Sequence, residues 1–217
     1  MTDLGALDIP PPPSVEIWKL TNRFGAFTAL DNVSFNISPG SFHALLGENG
    51  AGKSTLVKCL MGTYHADDGS IVIDGKEVAI ASPRDAQRIG LGMVYQHFTL
   101  VPSMTVAENL VLGEPDLPQV VNWAESRASL AAFMAEMPFK LDLDKLVSSL
   151  SAGEKQKLEI LKQLRLGSRL LILDEPTSVL TPDEADQILG LMRQLTDEGR
   201  ISVVLISHKL REVEAYA

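Results

Sequence analysis

Gly47-Glu48-Asn49-Gly50-Ala51-Gly52-Lys53-Ser54, followed by Thr55, decides the fold of this chain. The stretch fits the pattern G-x-x-x-x-G-K-[ST], and its flanks fit as well. Ahead of it, Phe42-His43-Ala44-Leu45-Leu46 reads as a buried strand; after it, residues 54–60 continue as a helix. Glycines let the backbone wrap closely around phosphate oxygens, so that successive N–H groups and a helix N-terminus face negative charge. Lys53 is placed to reach the β- and γ-phosphates, and the Ser54 hydroxyl to help hold Mg²⁺. The stretch implies a nucleoside triphosphate site between a strand and a helix.

A phosphate loop alone leaves many functions open. The second element is Leu170-Leu171-Ile172-Leu173-Asp174-Glu175-Pro176. Four apolar residues form a buried strand that delivers two carboxylates to its C-terminal end, where ligands bind in parallel sheets. Asp174 is placed to hold Mg²⁺, and Glu175 to orient and deprotonate an attacking water.

Further out, strands are expected over 15–20, 33–37, 42–46, 71–73, 93–95, 170–173 and 202–206. The last two are continuously apolar, as in parallel strands covered on both faces. Helices are expected over 53–61, 83–88, 106–111, 123–137, 152–166, 182–196 and from 209 onward. Ile188, Leu191, Met192 and Leu195 form an i, i+3, i+4, i+7 stripe that packs a core. Thr181-Pro182-Asp183-Glu184 and Ser151-Ala152-Gly153-Glu154 both carry the S/T-x-x-E form of a capped helix start. Strand signals vanish over about 97–166, which reads as a helical insertion within one domain spanning 15–217. Residues 1–14 close in Pro10-Pro11-Pro12-Pro13 and are expected to form a loosely ordered leader.

Composition narrows the classes. With 217 residues, 45% of them apolar, the chain has enough for one globular α/β domain. Its net charge of −9 argues against a nucleic-acid-coating surface, so no nucleic-acid partner is expected. No run approaches the roughly 18 apolar residues of a membrane span, and no basic region followed by an apolar core marks a secretory signal. The single cysteine, Cys59, cannot form an internal disulfide and reads as a small core residue.

Leu150-Ser151-Ala152-Gly153-Glu154, just upstream of the acidic strand, resembles the signature sequence of the ATP-binding cassette (ABC) family. Gln96, after the strand expected at 93–95, resembles that family's Q-loop glutamine. His208, after the strand at 202–206, resembles its switch histidine, and Phe24 the aromatic that stacks on adenine. The ordered set spans nearly everything from Val15 onward. The resemblance implies a P-loop NTPase of the cassette type, with a parallel-sheet core, an antiparallel N-terminal sheet region and a helical subdomain. It implies ATP and Mg²⁺ as ligands.

The resemblance also assigns roles. Phe24 would offer its ring to the base, with Phe27 as the neighbour that could be confused with it. Gln96 would sense Mg²⁺ and the attacking water. His208 would hydrogen-bond the γ-phosphate and hold the water and Glu175 in place. Ser151 and Gly153 would contact the γ-phosphate bound to a second cassette, making the active unit a head-to-tail pair. That second cassette is either another half of one parent chain or a copy of this one. Three positions depart from the family pattern: Ala152 stands where Gly is commonest, Glu154 where Gln is, and Thr181 where many members have Asp. Glu154 would weaken the contact across the pair unless it turns back to cap its own helix, and Thr181 reads as a helix cap.

Within the family, the segment from Met93 to Leu110, Thr181-Pro182-Asp183-Glu184, and Ser207-His208-Lys209-Leu210-Arg211-Glu212-Val213 resemble the importers for simple sugars and nucleosides. ATPase subunits of that group commonly carry two cassettes, and this chain resembles the first. The resemblance implies permease partners docked on the helical insertion and a peripheral place on the cytoplasmic face of the inner membrane. It also implies that the cassette continues beyond Ala217. Two alternatives belong to other classes: a soluble ABC ATPase acting on ribosomes or DNA, and a non-hydrolysing regulatory cassette. Glu175 and His208, both present, count against the second.

Overall fold

The computed structural model describes residues 10–48, 50–114, 117–137 and 139–217. Among them two four-stranded sheets form. The first is antiparallel, in the order β2-β1-β4-β5, and comprises β1 (Val15–Phe24), β2 (Phe27–Ile37), β4 (Asp68–Ile73) and β5 (Lys76–Val78). The second is parallel, in the order β3-β8-β7-β6, built from β3 (Phe42–Leu45), β6 (Leu91–Val94), β7 (Leu170–Asp174) and β8 (Ser202–Ile206). Residues 170–173 of β7 and 203–206 of β8 are all buried, which is why these two strands read as apolar runs, and the hydroxyl of Ser202 at the start of β8 is buried with them.

One apolar cluster lies between the sheets and takes in Leu56, Val57 and Leu60 of α1 (Lys53–Leu60). A second joins the other face of the parallel sheet to α6 (Pro182–Asp197) through the Ile188, Leu191, Met192 and Leu195 stripe. A third belongs to the helical insertion. There α3 (Val106–Leu112), α4 (Trp123–Glu136) and α5 (Ala152–Arg165) pack Leu110, Leu130, Phe133 and Leu158 against one another. The short α2 (Pro83–Arg88) precedes β6, and α7 (Leu210–Tyr216) follows β8.

Three local features differ from expectation. β1 and β2 run on to a hairpin tip where Phe24 pairs with Phe27, beyond the expected 15–20 and 33–37. The added residues include Asn22, Arg23, Asp31 and Asn32, and register shifts interrupt the pairing, so no two-residue alternation announces them. β5 had no expectation at all. Asp74 (φ 50°) and Gly75 (φ 74°) make the two-residue turn with positive φ at both positions that folds β4 back on β5. Finally, of the leader expected over 1–14, residues 1–9 lie outside the described residues, and residues 10–14 are docked on the fold. Pro12 and Pro13 are buried, and the Arg169 guanidinium donates to the Pro11 carbonyl (2.7 Å) and the Ile89 carbonyl (3.2 Å).

Candidate active site

All four parallel strands point their C-terminal ends at one cleft. β3 leads into the glycine-rich loop, β6 to Gln96, β7 delivers Asp174 and Glu175, and β8 leads to His208. The cleft is lined by Gly50, Ala51, Gly52, Lys53, Ser54 and Thr55 from the loop and α1. Gln96, Asp174 and Glu175 line it from the strand ends, and Phe24, Phe27 and Ala29 from the antiparallel sheet. Asn49 lies outside the described residues.

The loop is built for an anion. Side chains cap α2, α3, α4, α5 and α6, but the N-cap of α1 is Gly52, which has none to offer. The first N–H groups of α1 therefore keep their hydrogen-bonding capacity for a ligand. Gly52 has φ 87°, and a Cβ there would stand 2.6 Å from the Ala29 carbonyl oxygen of β2. Only glycine fits this contact between the phosphate loop and the antiparallel sheet. The Lys53 ammonium donates to the carbonyls of Gly47 (2.6 Å) and Glu48 (2.9 Å), which hold it over the loop.

Glu175 stands at the centre. Gln96 Nε2 donates to Glu175 Oε2 (3.1 Å), and His208 Nδ1 lies 3.2 Å from Glu175 Oε1. Its backbone has φ 46°, in the left-handed region, pinned by Glu175 N donating to the Ile206 carbonyl (3.0 Å). Such a conformation costs of order 1–3 kcal/mol in a non-glycine residue. Burial raises the pKa of neighbouring Asp174, with a further push from Glu175 and an opposing pull from Lys53 and Lys58.

Ser54, Asp174 and Gln96 bring a hydroxyl, a carboxylate and an amide, all oxygen donors, to the phosphate end of the cleft. Among the described residues no group of three or more His, Cys, Asp or Glu forms a metal cage. A sparse, hard oxygen set suits Mg²⁺, which keeps several ligands from phosphate and water.

At the opposite end the hairpin tip offers Phe24 (47% exposed) and Phe27 (62% exposed), so both remain candidates for a base-stacking face. Phe24 is the better braced of the two. Tyr64 meets its ring edge-on, with centroids 5.3 Å apart and planes at 74°.

Ser151 and Gly153 do not line this cleft. They start α5, where Ser151 Oγ accepts from Glu154 N (3.2 Å) and Ser151 N donates to Glu154 Oε2 (2.8 Å). Glu154 thus turns back onto its own helix, and Lys145 pairs with its other oxygen at 2.8 Å. Thr181 caps α6 in the same way with Glu184. The two starts touch, since a Cβ on Gly153 would come within 2.2 Å of Glu184 Oε1.

Two buried carboxylates escaped the sequence. Glu159 of α5 (1% exposed) accepts from the backbone N–H and hydroxyl of Thr99, tying the segment after Gln96 to the helix that Ser151 starts. Glu212 accepts from Thr177 and Ser207 behind the active centre. A carboxylate inside the apolar run from Leu158 to Leu161 was the available signal for the first. The second sits on a short helix with no apolar pattern to mark it as inward.

The ABC transporter family model matches residues 30–178. A ribose import ATP-binding protein, RbsA 1 of Rubrobacter xylanophilus, is 43% identical over 93% of this chain and 40% of its own length. A glucose import ATP-binding protein, TsgD13 of Haloferax volcanii, is 42% identical over 94% of this chain and 42% of its own. A nucleoside import ATP-binding protein, NupA of Lactococcus lactis, is 40% identical over 94% and 39%. The chain thus spans about two fifths of the curated relatives it matches. Among solved structures, a nucleotide-free ATP-binding cassette from an ABC transporter superposes with a TM-score of 0.80 at 25% identity, covering 94% of this chain and 85% of that one. With the phosphate loop, acidic strand end and α5 start placed as they are, the chain belongs to the ABC transporter family as one of its ATP-binding cassettes.

Proposed function

We propose that this chain binds and hydrolyses ATP to energise an importer for simple sugars or nucleosides. The observation that carries the chemistry is Glu175, held between Gln96 and His208 at the mouth of the phosphate loop. The solute class rests on relatives named for ribose, glucose and nucleoside import.

In this reading the adenine stacks on Phe24, and the phosphates lie along Gly47, Gly50, Ala51, Gly52 and the N-terminus of α1. Thr55 adds a side-chain contact at the start of α1, and Asn49, expected in the same loop, lies outside the described residues. The Lys53 ammonium, now on carbonyls, shifts its donors to the β- and γ-phosphates. Ser54, Gln96 and Asp174 hold Mg²⁺, which bound there neutralises phosphate charge. Water attacks the γ-phosphorus as its bond to the bridging oxygen breaks, and Glu175 accepts the water's proton. ADP and inorganic phosphate leave. His208 orients Glu175 and meets the γ-phosphate.

In the same reading Ser151 and Gly153, which do not line this cleft, serve a nucleotide held by a second cassette facing head to tail, as their likeness to the family's signature sequence implies. The helical insertion offers the docking surface for a permease, which places the subunit on the cytoplasmic face of the membrane. Among the described residues no helix is long and apolar enough to cross a bilayer itself.

The test is to tag the protein in its own cells and identify what co-purifies in mild detergent. Recovery of a polytopic permease is the expected result. Ribosomes or DNA-repair factors without a membrane protein would overturn the transport role and leave the ATPase chemistry standing.

A further inference from the structure

The loops that carry Glu175 and His208 are joined a second time, behind the cleft, by a buried carboxylate. Glu212 of α7 is 7% exposed. Its Oε1 accepts from the Thr177 hydroxyl at 2.6 Å, and its Oε2 from the Ser207 hydroxyl at 2.8 Å. Thr177 lies two residues after Glu175, Ser207 directly before His208, and both are themselves buried. Lys209, directly after His208, closes the ring. Its ammonium stands 3.1 Å from Glu212 Oε1 and donates to the Thr177 hydroxyl and carbonyl, each at 3.0 Å. Its backbone N–H donates to the Ser207 hydroxyl at 3.1 Å.

The directions of these bonds are determined. Each hydroxyl accepts from Lys209 and so turns its single proton to the carboxylate. Glu212 is thus the common acceptor for both loops, and a buried carboxylate is tolerated here because two hydroxyls and an ammonium satisfy it. On the cleft side, the hydrogen-bonded links between the same loops among the described residues are the 3.2 Å approach of His208 to Glu175 and Glu175 N on the Ile206 carbonyl.

We propose that Glu212 is a positioning residue for ATP hydrolysis, acting through the Thr177–Glu212–Ser207 bridge to hold His208 against Glu175. This rests on the hydrolytic roles given to those two residues above. Glu212 lies behind the cleft and is not among the residues that line it, so its loss should lower turnover and spare binding.

The experiment compares Glu212→Ala, Glu212→Gln, Glu212→Asp, His208→Ala and the Glu212→Ala/His208→Ala double variant in the intact protein, measuring steady-state ATP hydrolysis and equilibrium ATP binding. Glutamine retains the shape but leaves one hydroxyl without an acceptor. Glu212→Ala and Glu212→Gln are expected to lower kcat about tenfold with KM and ATP affinity within about twofold, and Glu212→Asp to recover part of the loss. The double variant should hydrolyse within about twofold of His208→Ala alone, because Glu212 acts through the histidine. Should the alanine variant fail to fold, the glutamine and aspartate variants decide. Wild-type turnover in Glu212→Gln, or losses that multiply in the double variant, would overturn the positioning role while leaving His208 in place. Wild-type turnover in His208→Ala would overturn the histidine's role itself, and the bridge with it.

Discussion

His208 Nδ1 stands 3.2 Å from Glu175 Oε1, while Gln96 Nε2 reaches the other oxygen of the same carboxylate at 3.1 Å. One oxygen is oriented from the loop after β8 and the other from the end of β6. A carboxylate held this way has little freedom to rotate, which suits a base that must meet water at a fixed angle.

Glu175→Gln keeps the size of the side chain and removes its basicity. ATP affinity should be unchanged, while turnover falls by about 10²–10⁴-fold, the range that general-base catalysis supplies. Phosphate release and nucleotide titration on the same sample check this. Turnover near the wild-type rate would remove Glu175 from the base role.

Phe24 and Phe27 face each other across the tip of the β1–β2 hairpin, but only Phe24 is braced edge-on by Tyr64. Phe24→Ala is expected to weaken ATP binding by about 1 kcal/mol, and Phe27→Ala by less. Titration with ATP and with inorganic triphosphate separates the base from the phosphates, and triphosphate affinity should not change. A larger loss from Phe27→Ala would reverse the assignment.

The cleft was legible where chemistry leaves a local pattern. Lys53, Asp174 and Glu175 could be placed because a glycine-rich turn and an apolar strand each fix a backbone direction from neighbouring residues alone. Gln96 and His208 carry no such pattern and were placed by family resemblance, from their order after two strands. The hairpin tip was hidden because its polar residues alternate irregularly, whereas the β4–β5 turn was missed although Asp74-Gly75 is a turn pair that could have marked it. Glu159 and Glu212 were hidden for a different reason. A glutamate reads as a solvated surface residue until the tertiary fold brings Thr99, Thr177 and Ser207 to it.

Glu154 shows how pH enters stability. The Lys145 hydrogen bond, then the Ser151 backbone N–H, lowers its pKa below the usual 4.5. A depressed acid contributes stability above its unfolded value and loses it as pH falls through the folded one. Glu154→Gln should therefore lower the melting temperature modestly at neutral pH, because a part-exposed pair is screened by solvent. The gap should close as pH drops below about 4.5. Thermal scans across that interval test it, and a constant gap would mean that Lys145 contributes nothing through charge.

Gly153 is packed under the Glu184 side chain, which is engaged in capping α6. In Gly153→Ala the new methyl must displace that carboxylate and break the cap, so the melting temperature should fall by a few degrees. In a Glu184→Ala background the same change should cost almost nothing. Equal losses in both backgrounds would show that the alanine is resisted by the helix start itself.

The contact between Gly52 and the Ala29 carbonyl joins the phosphate loop to the strand whose first residue is Phe27. A nucleotide across it is a bivalent ligand. One end is a ring that stacks weakly, the other a chain of phosphates, and the sugar is a short tether between them. With both receptors fixed on one rigid contact, binding of the first end presents the second at high effective concentration. If that contact loosens, neither end need lose a single hydrogen bond for affinity to fall, because the two sites no longer keep the spacing that the tether can span.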